Sequence, residues 1–455
     1  MQVFVDVVIM ASLLFAAVSG YATTLYWDAN GSDTGFGTVL TGDWNASSFW
    51  STSPSGTATT NSWTAAATTS NDVVFSAVDC PADAGSINVQ NVYSSTPIYS
   101  LTVKAASQSV KINGQTSARV LTMAGAALFN VEDGAAAFDL DMNVNIAGTN
   151  GITKIGAGTL RQTQVGTFTG KTWIREGIFY CGNNVLPSSS ALIIDAGALF
   201  RLDDGGGRQV KVGSLTGAGS LILKTQYNSG TPPFGFMCGG DNSNTEFSGV
   251  LSSAGLGTGY SYGCWAKVGS GTLTLSGTNT YGPITVVSNG TLRVTGKHTG
   301  GSYYIVTAGA KLGGTGTITL ATTNSVRLIG SDAANRARLA PGVAGAGTLT
   351  VANGAGGTNV VFDAYSELEV ALTGDTVTKL ACGAMDLGGT TDYLTINVTG
   401  TRTRSRYVFA TYTGSLSGNI FDQVTVTGVS NSRIDYSSPG EIAIIVVRGT
   451  LITIF

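Results

Sequence analysis

The sequence predicts an all-β chain wound as a right-handed parallel β-helix, and three observations carry that expectation. The first is a segment that returns: 154–177 (KIGAGTLRQTQVGTFTGKTWIREG) realigns without a gap on 267–290 (KVGSGTLTLSGTNTYGPITVVSNG). Lys154 falls on Lys267, Gly158-Thr159-Leu160 on Gly271-Thr272-Leu273, Phe168 on Tyr281 and Gly177 on Gly290. Repetition at a fixed offset is the mark of stacked-repeat architectures. The second is period-2 alternation, explicit in Phe138-Asp-Leu140-Asp-Met142-Asn-Val144-Asn-Ile146, which sends apolar and polar side chains to opposite faces of a strand. The third is punctuation: short apolar runs such as LTV, VKI, LIL and LRV are separated by Gly, Asn-Gly or Ala-Gly turns. Roughly three short strands per twenty-odd residues, with glycine at the corners, fit coils that stack Val, Ile, Leu and Ala inward.

Composition narrows the function classes. Only 11% of the 455 residues are charged and the net charge is -3, too little basic character for a nucleic-acid footprint. Polarity comes from Thr, Ser and Asn, which suit a pleated outer surface. With one histidine, His298, a His-based triad and a multi-histidine metal site have no material to draw on. The five cysteines show no CxxC spacing, so neither a zinc ribbon nor a thioredoxin-type motif is expected. No cofactor and no metal site are expected.

Taken in order, residues 1–22 read as a secretory signal. The apolar run from Val7 to Val18 ends in small residues before Thr23 and is too short to span a bilayer. Residues 23–85 hold four of the six tryptophans, Trp27, Trp44, Trp50 and Trp63. They suit a cap closing the open end of a solenoid better than a sugar-stacking platform. Residues 86–330 carry the repeats, interrupted near 224–266 by a loop-like stretch. Tyr227, Phe234, Phe236, Tyr260, Tyr262 and Trp265 gather there with Cys238 and Cys264. A loop leaving a solenoid flank is where binding function usually sits, so these aromatics are candidate ligand contacts and the two cysteines a candidate disulfide. Residues 331–455 read as further coils and terminal strands.

The K-x-G-x-G-T-L pattern, the aromatic-plus-glycine turn and the closing glycine of 154–177 and 267–290 together resemble the autotransporter-associated β-strand repeat family. That resemblance implies a passenger-type β-helix of a secreted or surface bacterial protein. Such motifs specify turns and core leucines, so no catalytic residue is carried over. Nothing after Ser405 reads as the alternating strands of a translocator barrel.

Other residues invite chemical readings. Asp139 and Asp141 share one strand face about 7 Å apart, a geometry open to glycoside hydrolysis or calcium, though a solvated outer face accounts for them as well. Asp203-Asp204 before a glycine run reads as a turn. Arg402, Arg404 and Arg406 alternate as a positive stripe suited to acidic polysaccharide, with Arg336 and Arg338 a second. Lys154 and Lys267 recur with the repeat and are expected at coil corners. Cys181 takes the slot of Val294, which points to a buried apolar thiol. His298, beside Lys297 and glycines, is expected as an exposed turn residue. The functional expectation is a secreted, non-catalytic structural or adhesin-like rod that contacts glycan or matrix, without nucleic-acid partners and with no span left after signal removal. Self-association through its β-edges is open to it. A polysaccharide lyase or glycosidase on a β-helix is the enzymatic alternative, and a self-assembling fibre protein the structural one.

Overall fold

The computed structural model describes residues 23–447 apart from 36, 38–40, 46–47, 62, 64–70, 76–86, 91–95, 106–108, 115–118, 135, 183–184, 203–208, 224–233, 254–263, 323, 354–358 and 419. The expected signal at 1–22, Asp203-Asp204, Tyr227, Tyr260 and Tyr262 lie outside the described residues.

Among the described residues there is no helix; short strands stack in parallel as the coils of a β-helix. The first face includes Thr96–Val103, Val120–Val131, Ile152–Ile155, Thr172–Ile174, Ala191–Ile194 and Ser214–Gly217, each pairing in parallel with the next, and ends with the parallel pair Tyr393–Thr399 and Gln423–Thr427. The second face carries Leu140–Asn143, Thr159–Gln162, Ile178–Cys181 and Leu199–Leu202 in the same manner. A third face begins at Val210–Val212 and continues through Phe234–Cys238, Cys264–Lys267 and Ile284–Val287.

Glycine makes the corners possible where the chain turns between faces. Gly156 and Gly177 sit at φ +77° and +67°, their counterparts Gly269 and Gly290 at +70° and +63°. A Cβ on Gly177 would lie 2.5 Å from the carbonyl oxygens of Gly156 and Gly158, closer than real Cβ atoms come. Only glycine combines that backbone with that approach.

The core consists of ladders of identical register. Leu140, Leu160, Phe179, Phe200, Leu221 and Leu251 face one another through six successive coils of the second face, all buried. Phe179 and Phe200 stack with ring centroids 5.8 Å apart. On the first face Leu273, Leu292, Leu312, Leu339, Leu368 and Leu394 form a second ladder whose final rung is Val424.

The two ends differ. At the N-terminal end Trp27, Trp44, Trp50 and Trp63 are buried and interlock, with Trp44 5.0 Å from Trp50 and 5.2 Å from Trp63. Thr24–Trp27 is further covered by an antiparallel pairing with Trp50–Ser51. These tryptophans are core, not a sugar platform. At the other end, the antiparallel strands Ser432–Asp435 and Glu441–Val446 cover Arg406–Tyr412. Gln423–Thr427 pairs only with Tyr393–Thr399 among the described residues, and Val424 is 45% exposed.

Candidate functional site

The repeat is built around its lysine. Lys154 is buried, and its Nζ donates to the carbonyl oxygens of Ile155, Gly156 and Glu176 at 3.2, 2.6 and 3.0 Å. Lys267 repeats the arrangement on Val268, Gly269 and Asn289 at 2.7, 2.8 and 3.2 Å. Each ammonium thus satisfies two corner carbonyls of its own coil and one of the next. Burial pushes both lysines down, Lys154 to about 8, opposed in its case by the carboxylates of Asp139, Glu176 and Asp133. The corner role expected from the repeat is what both lysines perform.

A second element of the repeat escaped sequence reading. Thr172 Oγ1 lies 3.3 Å from Ser190 Oγ, which donates to the Gly170 carbonyl at 2.8 Å. In the other repeat Thr285 Oγ1 lies 3.3 Å from Ser302 Oγ, which donates to the Pro283 carbonyl at 2.5 Å. All four hydroxyl residues are buried. The available signal was that Thr172 and Thr285 fall on one another in the alignment; their serine partners come from the following coil, which alignment of the repeat alone does not reach.

The two repeats do not occupy the same side of the solenoid. Ile152–Ile155 and Thr159–Gln162 stand on the first and second faces, whereas Cys264–Lys267 and Thr272–Leu275 stand on the third and first. The lysine geometry survives that change intact.

His298 is buried, contrary to the turn expectation. It stacks on Tyr281 at 4.1 Å; its Nε2 lies 2.9 Å from the Tyr281 carbonyl and its Nδ1 2.6 Å from the Tyr304 hydroxyl. Donation from Nε2 to that carbonyl leaves Nδ1 to accept from Tyr304. Desolvation lowers the imidazole to about 4, so the ring is neutral and structural. The Tyr281 hydroxyl continues the network to Thr285 and Tyr304 at 3.0 and 3.2 Å.

Two of the aromatics expected as ligand contacts turn inward instead. Phe236 and Trp265 are fully buried, and Trp265 packs edge-on against Tyr281 at 5.8 Å; the strand parity that pairs Phe236 with Trp265 sends both into the coil. Phe234 lies on the same strand, opposite Cys264. Cys238 and Cys264 are free, buried thiols. Cys238 pairs in register with Lys267, three residues along from Cys264, or roughly 10 Å of strand, beyond the reach of a disulfide. Burial pushes the Cys238 thiol up to about 12. Cys181 is buried as expected.

The arginine stripe also dissolves. Only Arg406 lies on a strand, and its guanidinium is held by Asp435 at 3.0 Å and Glu441 at 2.8 Å. Arg402 donates to the Gly400 carbonyl at 3.0 Å, and Arg404 is exposed with no ion pair among the described residues. Arg336 and Arg338 both bind the buried Glu367 at 3.1 Å. Asp139 and Asp141 are buried rather than solvated and do separate work. Asp139 accepts from the backbone N–H groups of Gly134 and Thr159 at 2.9 and 2.7 Å, while Asp141 pairs with Arg161 at 2.5 Å. Phe138, expected inward, packs outside against Tyr180 and Arg161.

Open grooves lie on the surface of the described residues, two of them lined by polar side chains. One, of about 700 Å³, is lined by Gly400, Thr401, Arg402, Arg404, Ser430 and Asn431 among others. The other, of about 360 Å³, lies over the first face between Glu246, Thr272, Thr274 and Arg293. Among the described residues no three His, Cys, Asp or Glu side chains gather as a ready-made metal cluster, and no helix is long and apolar enough to cross a membrane.

Stacked coils with a buried lysine at the corner of each repeat define a parallel β-helix. The family model described as passenger-associated-transport-repeat matches residues 152–179 and 266–294, and the chain carries two copies of that repeat. No curated protein matches the sequence.

Proposed function

We propose that this chain is a secreted or surface-exposed rod of the passenger kind, non-catalytic, whose outer face contacts glycan or matrix. The observation that carries the reading is where polar groups go. The row Thr272, Thr291, Lys311, Arg338 runs in register along the outside of the first face and ends on the buried Glu367, and its charges are paired along the ladder: Lys311 with Glu369, Arg338 with Glu367 and Glu369. Paired carboxylates and arginines are poor general acids and bases but a stable, hydrogen-bonding surface. The shallow, polar groove beside Arg404 supplies the exposed cation that an acidic glycan would seek.

The test is binding of residues 23–455 to an array of neutral and acidic polysaccharides, with reducing-end and unsaturated-product assays on every hit. Retention of acidic glycans without product, weakened at least about fivefold by Arg404→Ala, is the expected result. Release of oligosaccharides would overturn the non-catalytic reading, and retention unchanged by Arg404→Ala would remove the groove from it.

A further inference from the structure

The last coils carry an acidic corner around Asp392, with Asp422 and Asp386 as its charged neighbours among the described residues. Ser366, Asp392 and Asp422 stand on consecutive rungs at one register position, each a residue ahead of the paired Glu367, Tyr393 and Gln423. Ser366 and Asp392 are fully buried. Each leaves one oxygen without a hydrogen-bond partner, Ser366 Oγ and Asp392 Oδ2. The other Asp392 oxygen, Oδ1, accepts from the Asp422 N–H at 2.9 Å, while Asp422 Oδ2 accepts from the N–H groups of Thr391 and Asp392 at 2.9 and 3.2 Å. The two carboxylates are therefore locked in place by each other's backbone. The charges acting on Asp392 are those of Asp422 and Asp386, both negative.

Buried polar atoms are nearly always paired, and an isolated buried carboxylate is costly. Two such orphans on adjacent rungs are better explained by a shared partner than by two separate defects. Adjacent rungs are about 4.7–4.9 Å apart, and Ca²⁺ takes oxygen ligands at about 2.3–2.6 Å. Side-chain oxygens that keep that spacing would each stand one Ca–O distance from a point midway between them. Mg²⁺, at about 2.0–2.1 Å, would need the rungs to close.

We propose that the corner binds Ca²⁺ between Ser366 Oγ and Asp392 Oδ2, in the negative field of Asp422 and Asp386. Calcium completes its shell with hydroxyls, backbone carbonyls and water. The ion would join two coils close to the end where Val424 is uncovered.

The experiment uses the whole chain, chelator-stripped, melted with CaCl₂ or MgCl₂ alone at rising concentration. Calcium is expected to raise Tm by about 3 °C or more at saturation, with magnesium clearly weaker. Asp392→Asn should abolish the response and Ser366→Ala should weaken calcium affinity by about tenfold. A wild-type chain that ignores calcium, or an Asp392→Asn chain that responds like wild type, overturns the proposal; the former would leave the orphans to buried water. Should Asp392→Asn fail to fold, Tb³⁺ emission sensitised by Tyr436, which lies within electrostatic reach of Asp392, provides the second measurement. Emission unaltered by Ser366→Ala would equally overturn it.

Discussion

The repeats at 152–179 and 266–294 share their corner contacts and differ in what fills the coil between them. Lysine, corner glycines and the Thr–Ser hydroxyl pair are the same in both. Between them, the first repeat places Phe168 and Leu192 where the second has Tyr281 and Tyr304. Beyond its Thr172–Ser190 pair the first coil has apolar Phe168 and Leu192; the other encloses a hydrogen-bonded cluster of two tyrosines, Thr285, Ser302 and His298. Standing on different faces as well, the two copies teach that the motif encodes a backbone corner and leaves the side-chain filling free.

That comparison can be broken in several places, the lysines first. Replacing either Lys154 or Lys267 by Met strands three carbonyls and should cost about 3 kcal/mol at either site. Urea melts check this, and a loss at one site only would deny the shared role. Lys154 adds a pH signature. Its folded value of about 8 lies below the ordinary 10.5, so the unfolded chain binds more protons between these limits, and stability should rise with pH from about 8 to 10.5. Lys154→Met should flatten that rise.

The filling comes next. Phe168→Tyr adds a buried hydroxyl to a coil that holds Leu192 where the second repeat has Tyr304, and should cost about 2 kcal/mol, whereas Tyr281→Phe deletes hydrogen bonds already satisfied and should cost about 1 kcal/mol. Thermal melts of the pair decide whether the coils are interchangeable; equal costs would say that they are. The smallest effect is acid sensitivity. His298 is held at about 4, below its ordinary 6.5, so the contribution of its neutral form is complete above 6.5 and lost as pH falls through about 4. Hydrogen exchange at amides 281–306 should therefore accelerate over that window, with amides 168–194 lagging. His298→Asn should remove the difference.

Much of the fold was legible because its signals are local. The corner motif needs glycine and lysine at set positions, and alternation fixes parity within a strand, as it did for Leu140, Met142, Val144 and Ile146. What escaped needs knowledge of the neighbouring coil. Asp141 is covered by Arg161, which faces it from the next coil, so its polarity could not be translated into exposure. Phe236, Trp265 and His298 sit among glycines and polar residues that read as loop, yet each joins a strand whose partner lies 19 to 29 residues away. The arginines misled for the same reason: their carboxylate partners Glu367, Asp435 and Glu441 arrive from other strands.

Because each parallel strand bonds only to the coils before and after it, a pull on the rod is borne by one layer at a time. The rung at Gln423–Thr427, paired on one side only among the described residues, is the natural point for peeling to start, and the tryptophan-plugged end the last to yield. Lys154 and Lys267, each tying its own corner to the next coil, then act as stops along the way. Under tension the chain would lengthen in steps, holding its load while it shortens as a fold.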